Sequence, residues 1–396
     1  MHHIDIASFW PGYTVIAQAL SANHHTLFTL EPRADLLPRC RRCLQPTPLI
    51  HDQRIRRVRE RGLFDRQVWV QLPVRRVDCV RCGRVSEHID WLPSGSRLTR
   101  RMQCWIEALV QYLPIRHVSQ LTGVGWHTIK EIDKRRLQTS VGTIELGEVR
   151  RLVMDEFALH KGHRYATVIM DAERTRVLWV GHGNSRAAIR PFFERCQQIE
   201  AVAMDMNTAV DLEVKQHCPQ AEVVYDLFHV VARYGREVVD RVRVEQANAL
   251  KSDKPARKVV KSARWLLLRN RAKLSEKKDV KLQELLAANQ PLAMVYVLKE
   301  ALKGIWYAPS VWEGWRRWRS WMRQVKESGL APLQRFGRNL SKYMRGILAS
   351  ANYPMHTSVL EGVNNKIKVR KRMAYGFRDS EYFFLKIKAA FPGKPR

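Results

Sequence analysis

Acidic residues are scarce in this chain. Among its 396 residues, 38 are aspartate or glutamate and 69 are lysine or arginine, so the formal net charge is +31 at pH 7. An excess this large predicts a polyanionic partner, and nucleic acid is the commonest one. A membrane surface is the competing partner, but long apolar runs and an N-terminal signal pattern are both missing. We therefore expect a cytoplasmic protein that binds nucleic acid and no membrane.

Cysteine is also scarce, and its number, seven, is odd. An odd count argues against a disulfide-stapled secreted scaffold. Cys40 with Cys43, and Cys79 with Cys82, form two C-x-x-C turns, which together complete the tetrahedral ligand set of a structural Zn²⁺. Free buried or redox thiols are the alternative. The other three cysteines are isolated and are expected to be small buried side chains: Cys104, Cys196 and Cys218.

Internal repeats and low-complexity tracts are absent, while 45% of the residues are hydrophobic. Both features favour an ordered chain of two or three domains. Residues 1–95 predict a zinc ribbon, with strands at 15–20, 26–30 and 67–72 around the two cysteine turns. The arginine-rich run 54–59 is either a solvated strand face or an edge that contacts phosphates.

Residues 96–148 predict a helix-turn-helix domain. Apolar periodicity indicates helices at 98–112, 115–121 and 126–137, with a turn at Gly123. In the first of these helices, the side chains expected to be buried are Trp105, Ile106, Leu109 and Val110. Many helical hairpins have the same pattern, and the alternative is a hairpin without a DNA-binding role. In the DNA-binding interpretation, four side chains of the last helix face the DNA: His127, Lys130, Lys134 and Arg135.

From residue 149 onward the apolar runs become nearly continuous, as in a sheet covered on both faces. Strands are predicted at 152–154, 166–170, 177–180, 202–204 and 222–225, and helices at 185–198 and 208–217. Three meandering strands followed by helix, strand, helix and strand is the order of an RNase H-like α/β domain with a mixed sheet.

A long basic helical region, about 235–345, follows these strands. Tryptophans recur within it at helical spacing, which is typical of a packed core. Stacking on exposed nucleic-acid bases is the alternative. The tryptophans are Trp306, Trp312, Trp315, Trp318 and Trp321.

Two aspartates occupy strand ends in this order. Asp155 is expected to end the first strand and Asp205 the fourth. Because these strands are neighbours in an RNase H-like sheet, the two carboxylates would lie side by side and repel each other unless cations bridge them. Two Mg²⁺ ions would do so and would clamp the attacking and leaving oxygens of a phosphoryl transfer. The alternative is that both aspartates only form turns.

A third acid, Glu361, lies in a basic helix near the C-terminus that Thr357 or Ser358 can cap. Its face is shared by one amide and two cations: Asn365, Lys368 and Arg372. An apolar stripe is predicted on another face: Val359, Val363, Ile367 and Ala374. Glu361 is either a salt-bridged surface acid or a metal ligand whose neighbours, Lys366 among them, grip phosphates.

Four stretches give the chain a specific resemblance. They are residues 154–156 with 161–165, residues 203–206, residues 225–230, and residues 361–368 with 375–377. With the cysteine turns and the helix-turn-helix, they resemble the ISL3 family of bacterial insertion-sequence transposases of the DDE type. The resemblance implies that Asp155, Asp205 and Glu361 are the catalytic metal ligands and that Asp226 and His229 lie beside them in a secondary role. It also implies that the region 235–345 is a helical insertion into a catalytic domain spanning 149–396.

The function expected from these features is binding of terminal inverted repeats, metal-dependent cleavage, and strand transfer into target DNA. The expected cofactors are two Mg²⁺ ions, replaceable by Mn²⁺, and one structural Zn²⁺. Double-stranded DNA is the expected partner, bound by a homodimer at the bacterial nucleoid. A nuclease or resolvase of the same fold that cuts without joining is one alternative. A zinc and helix-turn-helix regulator without catalysis is another.

Overall fold

The computed structural model describes residues 6–160, 162, 164–196, 198–269, 271–355 and 358–394. The chain divides into two units, residues 1–140 and 141–396. In the described part, no helix is long and apolar enough to cross a membrane.

A six-stranded sheet occupies most of the first unit. Its strands are β1 Tyr13–Ser21, β2 His25–Pro32, β3 Arg39–Cys40, β4 Ile50–Arg59, β5 Gln67–Cys79 and β6 Gly83–His88. Their order is β1-β2-β5-β6-β3, with β4 paired antiparallel to β5. The three predicted strands are confirmed as β1, β2 and β5. Alternating side chains of β5 enter the core, because successive residues point to opposite faces of a strand: Val68, Val70 and Leu72.

Three helices build a separate apolar core in the first unit: α1 Arg100–Tyr112, α2 Ile115–Thr122 and α3 Trp126–Val141. Thr99 caps α1 by accepting from the Met102 amide, and Gly123 ends α2 with φ of 68°. Buried Glu60 links β4 to α1, since its carboxylate accepts from the Thr99 hydroxyl at 2.8 Å.

Three predictions for α1 need correction. Trp105 and Leu109 are only half-buried, because Met102, Ile106 and Val110 are the residues that point into the core. Cys104 is exposed on the opposite side of the helix and is not a buried side chain.

The second unit contains a five-stranded sheet in the order β11-β10-β7-β8-β9. Its strands are β7 Arg151–His160, β8 Arg164–Asp171, β9 Arg176–His182, β10 Ala201–Met204 and β11 Glu222–Tyr225. The first three form an antiparallel meander, and β10 pairs in parallel with both β7 and β11. This is the predicted order of strands.

Helices α4 Arg186–Phe193 and α5 Thr208–His217 connect the strands of this sheet. The bounds of α5 match the prediction. Helix α4 ends five residues earlier than predicted, two residues after the proline at position 191. Cys196 and Cys218 are buried as expected, and the Cys218 thiol donates to the Cys196 carbonyl at 2.8 Å.

A helical layer then covers one side of the sheet, beginning at α6 Leu227–Tyr234 and α7 Asp240–Ala249, which are joined by a π-helical turn at Gly235–Val239. The remaining helices are α8 Lys254–Ser262, α9 Arg264–Leu268, α10 Glu276–Ala288, α11 Gln290–Trp306, α12 Val311–Glu327, α13 Ala331–Ser341 and α14 Met344–Leu348. Trp306, Trp318 and Trp321 are buried here, whereas Trp312 and Trp315 are exposed. The core interpretation is therefore correct for only three of the five tryptophans.

The chain closes with α15 Ser358–Met373 and α16 Ser380–Ala390 on the other side of the sheet. Leu360, Val363 and Ile367 pack into the core. Val359 is instead 45% exposed, and Ala374 lies beyond the helix end, so these two members of the predicted stripe were wrong. Thr357, one of the two predicted caps, lies outside the described residues.

Candidate active site

Asp155 lies in the middle of β7 and does not end it. The strand continues to His160, because β8 remains paired with it through residues 155–160. The parallel partner β10 stops earlier, with Ala203 opposite Val153. Asp155 therefore lies beyond the end of the parallel pairing, at an edge where its carboxylate has no strand beside it on the β10 side.

Asp205 directly follows β10, so it lies at the same edge as Asp155. Asp226 follows β11, where it caps α6 by accepting from the Phe228 amide at 3.1 Å. One turn into α6, the His229 Nδ1 pairs with the Asp205 Oδ1. Asp205, Asp226 and His229 bring their ligand atoms within 4.8 Å of one another.

Helix α15 contacts this edge through Asn364. The side chain of Asn364 is 8% exposed, and its Nδ2 donates to the Asp155 Oδ2 at 2.6 Å. Glu361 lies three residues, about one helical turn, before Asn364 on the same helix. Glu361 and Asn365 are both exposed. The sequence named Asn365 for this region and missed Asn364, although both belong to the same motif.

A second carboxylate on β7, Glu156, supports the loops around the site. Its Oε2 accepts from the Asn184 amide at 2.8 Å, and its Oε1 accepts from the Asn207 amide at 3.3 Å. Asn207 also caps α5 two residues after Asp205. These three residues connect the loops that follow β9 and β10, and sequence reasoning missed their role.

The electrostatics of the edge disfavour the ionised form of Asp155. Burial raises the pKa of Asp155 to about 6, and the charge of Asp205 adds to this effect. The backbone amide of Glu156 opposes it by donating to the Asp155 carboxylate at 2.7 Å. The hydrogen bond with Asp205 raises the pKa of His229.

The residues present fit a hard divalent cation. A cleft with about 20 Å³ of free volume lies between Asp155, Glu156, Thr167, Asp205 and Asn207, which is room for about one water or ion. Three apolar residues also line it: Met154, Met204 and Val210. The carboxylate and amide side chains among its lining residues carry the oxygen donors that Mg²⁺ prefers. A bound cation would also favour the ionised form of Asp155, whose pKa is raised by burial and, to a smaller extent, by the charge of Asp205.

The cations of α15 differ in their surroundings. Lys368 and Arg372 are exposed. Lys366 instead lies against the end of α16, with its Nζ 3.1 Å from the Ala390 carbonyl. Lys371, which the sequence did not single out, donates to the Ala158 carbonyl of β7 at 3.3 Å.

In the first unit the two cysteine turns come together. The sulfur atoms of Cys40, Cys43, Cys79 and Cys82 lie within 4.8 Å of one another, a grouping that can hold a metal ion. Backbone amides after the first cysteine of each turn point at sulfur. The Arg42 amide lies 3.4 Å from the Cys40 sulfur, and the Arg81 amide lowers the pKa of Cys79 to about 6. Four thiolates in this arrangement match the donor set of Zn²⁺.

The predicted DNA-facing residues of α3 differ in exposure. His127 and Arg135 are exposed. Lys130 and Lys134 are half-buried, and the Lys130 ammonium lies 6.0 Å from the centre of the Trp126 ring.

Comparison with known proteins matches both units to one family. Residues 152–387 match its model described as a transposase, and residues 87–137 match the helix-turn-helix domain of transposase family ISL3. The chain is 48% identical to the transposase for insertion sequence element IS1001 of Bordetella parapertussis, over 98% of this chain and 97% of that protein. It is 25% identical to the transposase for insertion sequence element IS1557 of Mycobacterium tuberculosis, over 89% and 85% of the two chains.

A helix-turn-helix unit followed by a mixed-sheet catalytic unit defines a DNA-binding enzyme of the kind that cleaves and transfers DNA. This chain belongs to the ISL3 transposase family. Residues 161 and 163, which contribute to the resemblance noted above, lie outside the described residues.

Proposed function

We propose that this transposase is a DDE-type enzyme with an RNase H-like catalytic domain. It binds the terminal inverted repeats of its element, cleaves there and joins the ends to target DNA. One observation carries the proposal. Asp155 and Asp205 share one edge of the sheet, and Asn364 holds α15, with Glu361 one turn away, against Asp155.

Asp155, Asp205 and Glu361 would hold two Mg²⁺ ions, for which Mn²⁺ can substitute. When bound, such ions supply an activated nucleophile and stabilise the leaving oxygen of an in-line phosphoryl transfer. The chain's own residues have three tasks. The carboxylates orient the reacting phosphate, Asn364 keeps the Asp155 carboxylate aimed at the cleft, and His229, with Asp226 beside it, holds Asp205.

Recognition belongs to the first unit in this proposal. A zinc ribbon at 1–95, held by the four cysteines around one Zn²⁺, and a helix-turn-helix at 96–148 would bind the terminal repeat. His127, Lys130, Lys134 and Arg135 would contact its DNA. Lys366, Lys368 and Arg372 would hold the scissile strand, with Asn365 beside them. Two copies of the chain would assemble on the paired ends, in the bacterial cytoplasm at the nucleoid.

The test substitutes each carboxylate by its amide, which keeps the shape and removes the charge: Asp155→Asn, Asp205→Asn and Glu361→Gln. We expect each variant to lose cleavage and strand transfer of end-containing DNA in Mg²⁺, while affinity for the ends stays within about twofold, because binding resides in the first unit. Glu327→Gln, an exposed helical glutamate in the same unit, is the matched control and should stay active.

Undiminished strand transfer by Glu361→Gln would contradict the assignment of the third ligand. Cleavage that persists in chelator, or a DNA end linked to the protein, would contradict the metal-dependent chemistry. Cleavage without any joined product would favour the nuclease alternative.

A further inference from the structure

Helix α12 has two faces of different character. Gly314, Trp318, Trp321 and Val325 form its buried face. At 100° per residue, a separate strip of five side chains runs along the solvent side. We call it the tryptophan strip: Trp312, Trp315, Arg319, Arg323 and Lys326.

Every residue of the tryptophan strip is exposed, with Trp312 at 68% and Trp315 at 41%. Two tryptophans left in water on one helix face are not needed for the core, which Trp318 and Trp321 already supply. The Arg319 guanidinium lies 4.6 Å from the centre of the Trp315 ring, so the indole is flanked by a cation.

Charge on the strip has one sign. The strip contains no acidic residue, and Arg319, Arg323 and Lys326 form no ion pair with a carboxylate among the described residues. The acid nearest in sequence to Trp312, Glu313, is engaged elsewhere by Arg316 and Arg317, each at 2.8 Å. An occupant of the strip must therefore combine flat apolar surfaces with negative charge.

The chain ties this strip to the candidate active site. The indole of Trp306, at the end of α11, donates to the carbonyl of Tyr225 at 2.9 Å, and Tyr225 directly precedes Asp226. Trp312 is only six positions after Trp306, so the start of the strip lies within about 20 Å of that anchor. This distance corresponds to about six base steps of B-form DNA.

We propose that the tryptophan strip binds unpaired DNA bases near the cut end, with Trp312 and Trp315 as stacking surfaces and the three cations on the phosphates. Bases in an intact duplex hide their faces, whereas unpaired bases expose them to aromatic side chains. The proposal rests on the function above and adds a substrate form to it: DNA with unpaired nucleotides.

The test measures binding of the full chain, without added Mg²⁺ or Mn²⁺, to a fluorescent oligothymidylate and to a blunt duplex of equal length. Alanine replacement of a stacking aromatic weakens single-strand binding by about 5- to 150-fold. We expect W312A/W315A to lose at least about fivefold for the single strand, and less than about twofold for the duplex. A duplex with an unpaired overhang should behave as the single strand does.

The control is Trp265→Ala. Trp265 is 64% exposed and has the Arg264 guanidinium 5.1 Å from its ring centre, but it lies on α9, outside the strip. It should leave single-strand affinity unchanged. Equal losses for Trp265→Ala and W312A/W315A, or equal losses on both DNA forms, would overturn the proposal.

A second copy of the chain is the other occupant to test. If W312A/W315A keeps its single-strand affinity and instead loses self-association in size-exclusion chromatography, the strip is a protein interface and the proposal is wrong. Because no Mg²⁺ or Mn²⁺ is supplied for cleavage, this binding test does not depend on the three proposed metal ligands. Asp155→Asn should retain single-strand affinity whether or not Asp155 is a ligand of the catalytic metal ions.

Discussion

The Asn364 amide is the hydrogen-bond donor that holds α15 against Asp155. Such an amide orients a carboxylate without any contact with substrate, so it acts as a positioning residue. Its neighbour Asn365 is exposed on the next helical position and makes no such bond to Asp155. The two adjacent asparagines therefore allow positioning of the carboxylate to be separated from contact with DNA.

We expect Asn364→Ala to raise the Mg²⁺ concentration needed for half-maximal cleavage by about 10- to 100-fold, the usual cost of losing a ligand's supporting hydrogen bond. Asn365→Ala should leave that concentration unchanged. The measurement is a metal titration of cleavage rate at saturating DNA. If both variants need the same Mg²⁺ concentration for half-maximal cleavage, the hydrogen bond from Asn364 to Asp155 does not support metal binding.

Glu213 is a fully buried charge in α5 held by two arginines. The Nε atoms of Arg190 and Arg186 each lie 2.8 Å from its carboxylate. These bonds, first that from Arg190, lower the pKa of Glu213 to about 2. A pKa below the unfolded value of about 4.3 contributes stability above that pH, and the contribution is lost as pH falls toward 2.

Glu213→Gln should accordingly reduce the free energy of unfolding by about 2 kcal/mol at pH 7, the scale of charged hydrogen bonds. The difference in the free energy of unfolding between Glu213→Gln and the parent protein should shrink as the pH approaches 2. Urea unfolding at several pH values measures this difference. Glu173→Gln, at an exposed pair with Arg151, should cost less than about 0.5 kcal/mol. A difference that stays constant with pH would refute the assigned cause.

At the scale of elements, the cysteine cluster joins β3 to the hairpin of β5 and β6. Cys40 belongs to β3, Cys79 ends β5, and Gly83, with φ of 70°, begins β6. A small sheet edge of this kind buries little apolar surface: its core contains only Val77 and Val85 beside the cysteines. A metal ion would supply the missing stabilisation.

The purified chain should contain about one Zn²⁺ per molecule. Cys79→Ser should remove this ion and lower the temperature at which the first unit unfolds. Elemental analysis and circular dichroism measure the two effects. Cys104→Ser replaces an exposed, isolated cysteine and should change neither. A full zinc content in Cys79→Ser would show that the four sulfurs do not form the site.

For the whole molecule, the net charge of +31 and the two separate units predict a division of labour. Contacts with phosphates release counterions, so binding of any DNA should weaken steeply with salt. Contacts from α3 should add preference for the terminal repeat.

Arg135→Ala, at an exposed position of α3, should lower affinity for the repeat and reduce the slope of log affinity against log salt by about one. The cleavage rate at saturating protein, where the repeat is fully bound by Arg135→Ala, should equal that of the parent protein. Lys277→Ala, an exposed cation on α10, should leave preference for the repeat intact. If Arg135→Ala keeps both the parent's affinity for the repeat and the parent's salt slope, Arg135 makes no contact with the DNA.

Much of this protein follows from local sequence patterns. Each C-x-x-C turn places two cysteine sulfurs together within four residues. The four-cysteine cluster then requires only that the two turns meet in the fold. Apolar periodicity also predicts the five strands and the α5 helix, because strand and helix repeats are local properties of the chain. The mixture of residue types in 361–368 was sufficient to suggest the family.

Tertiary packing decided the rest. Asp155 lies inside β7 and not at its end because the next strand in the chain, β8, pairs with β7 through residues 155–160. Only the parallel pairing with the distant strand β10 stops before Asp155. Asn364 meets Asp155 because the burial of Leu360, Val363 and Ile367 sets the rotation of α15. Trp312 and Trp315 are left in water because packing of α11 and α14 selects the other face of α12. Helical spacing groups tryptophans on faces, but only the neighbouring helices determine which face is buried.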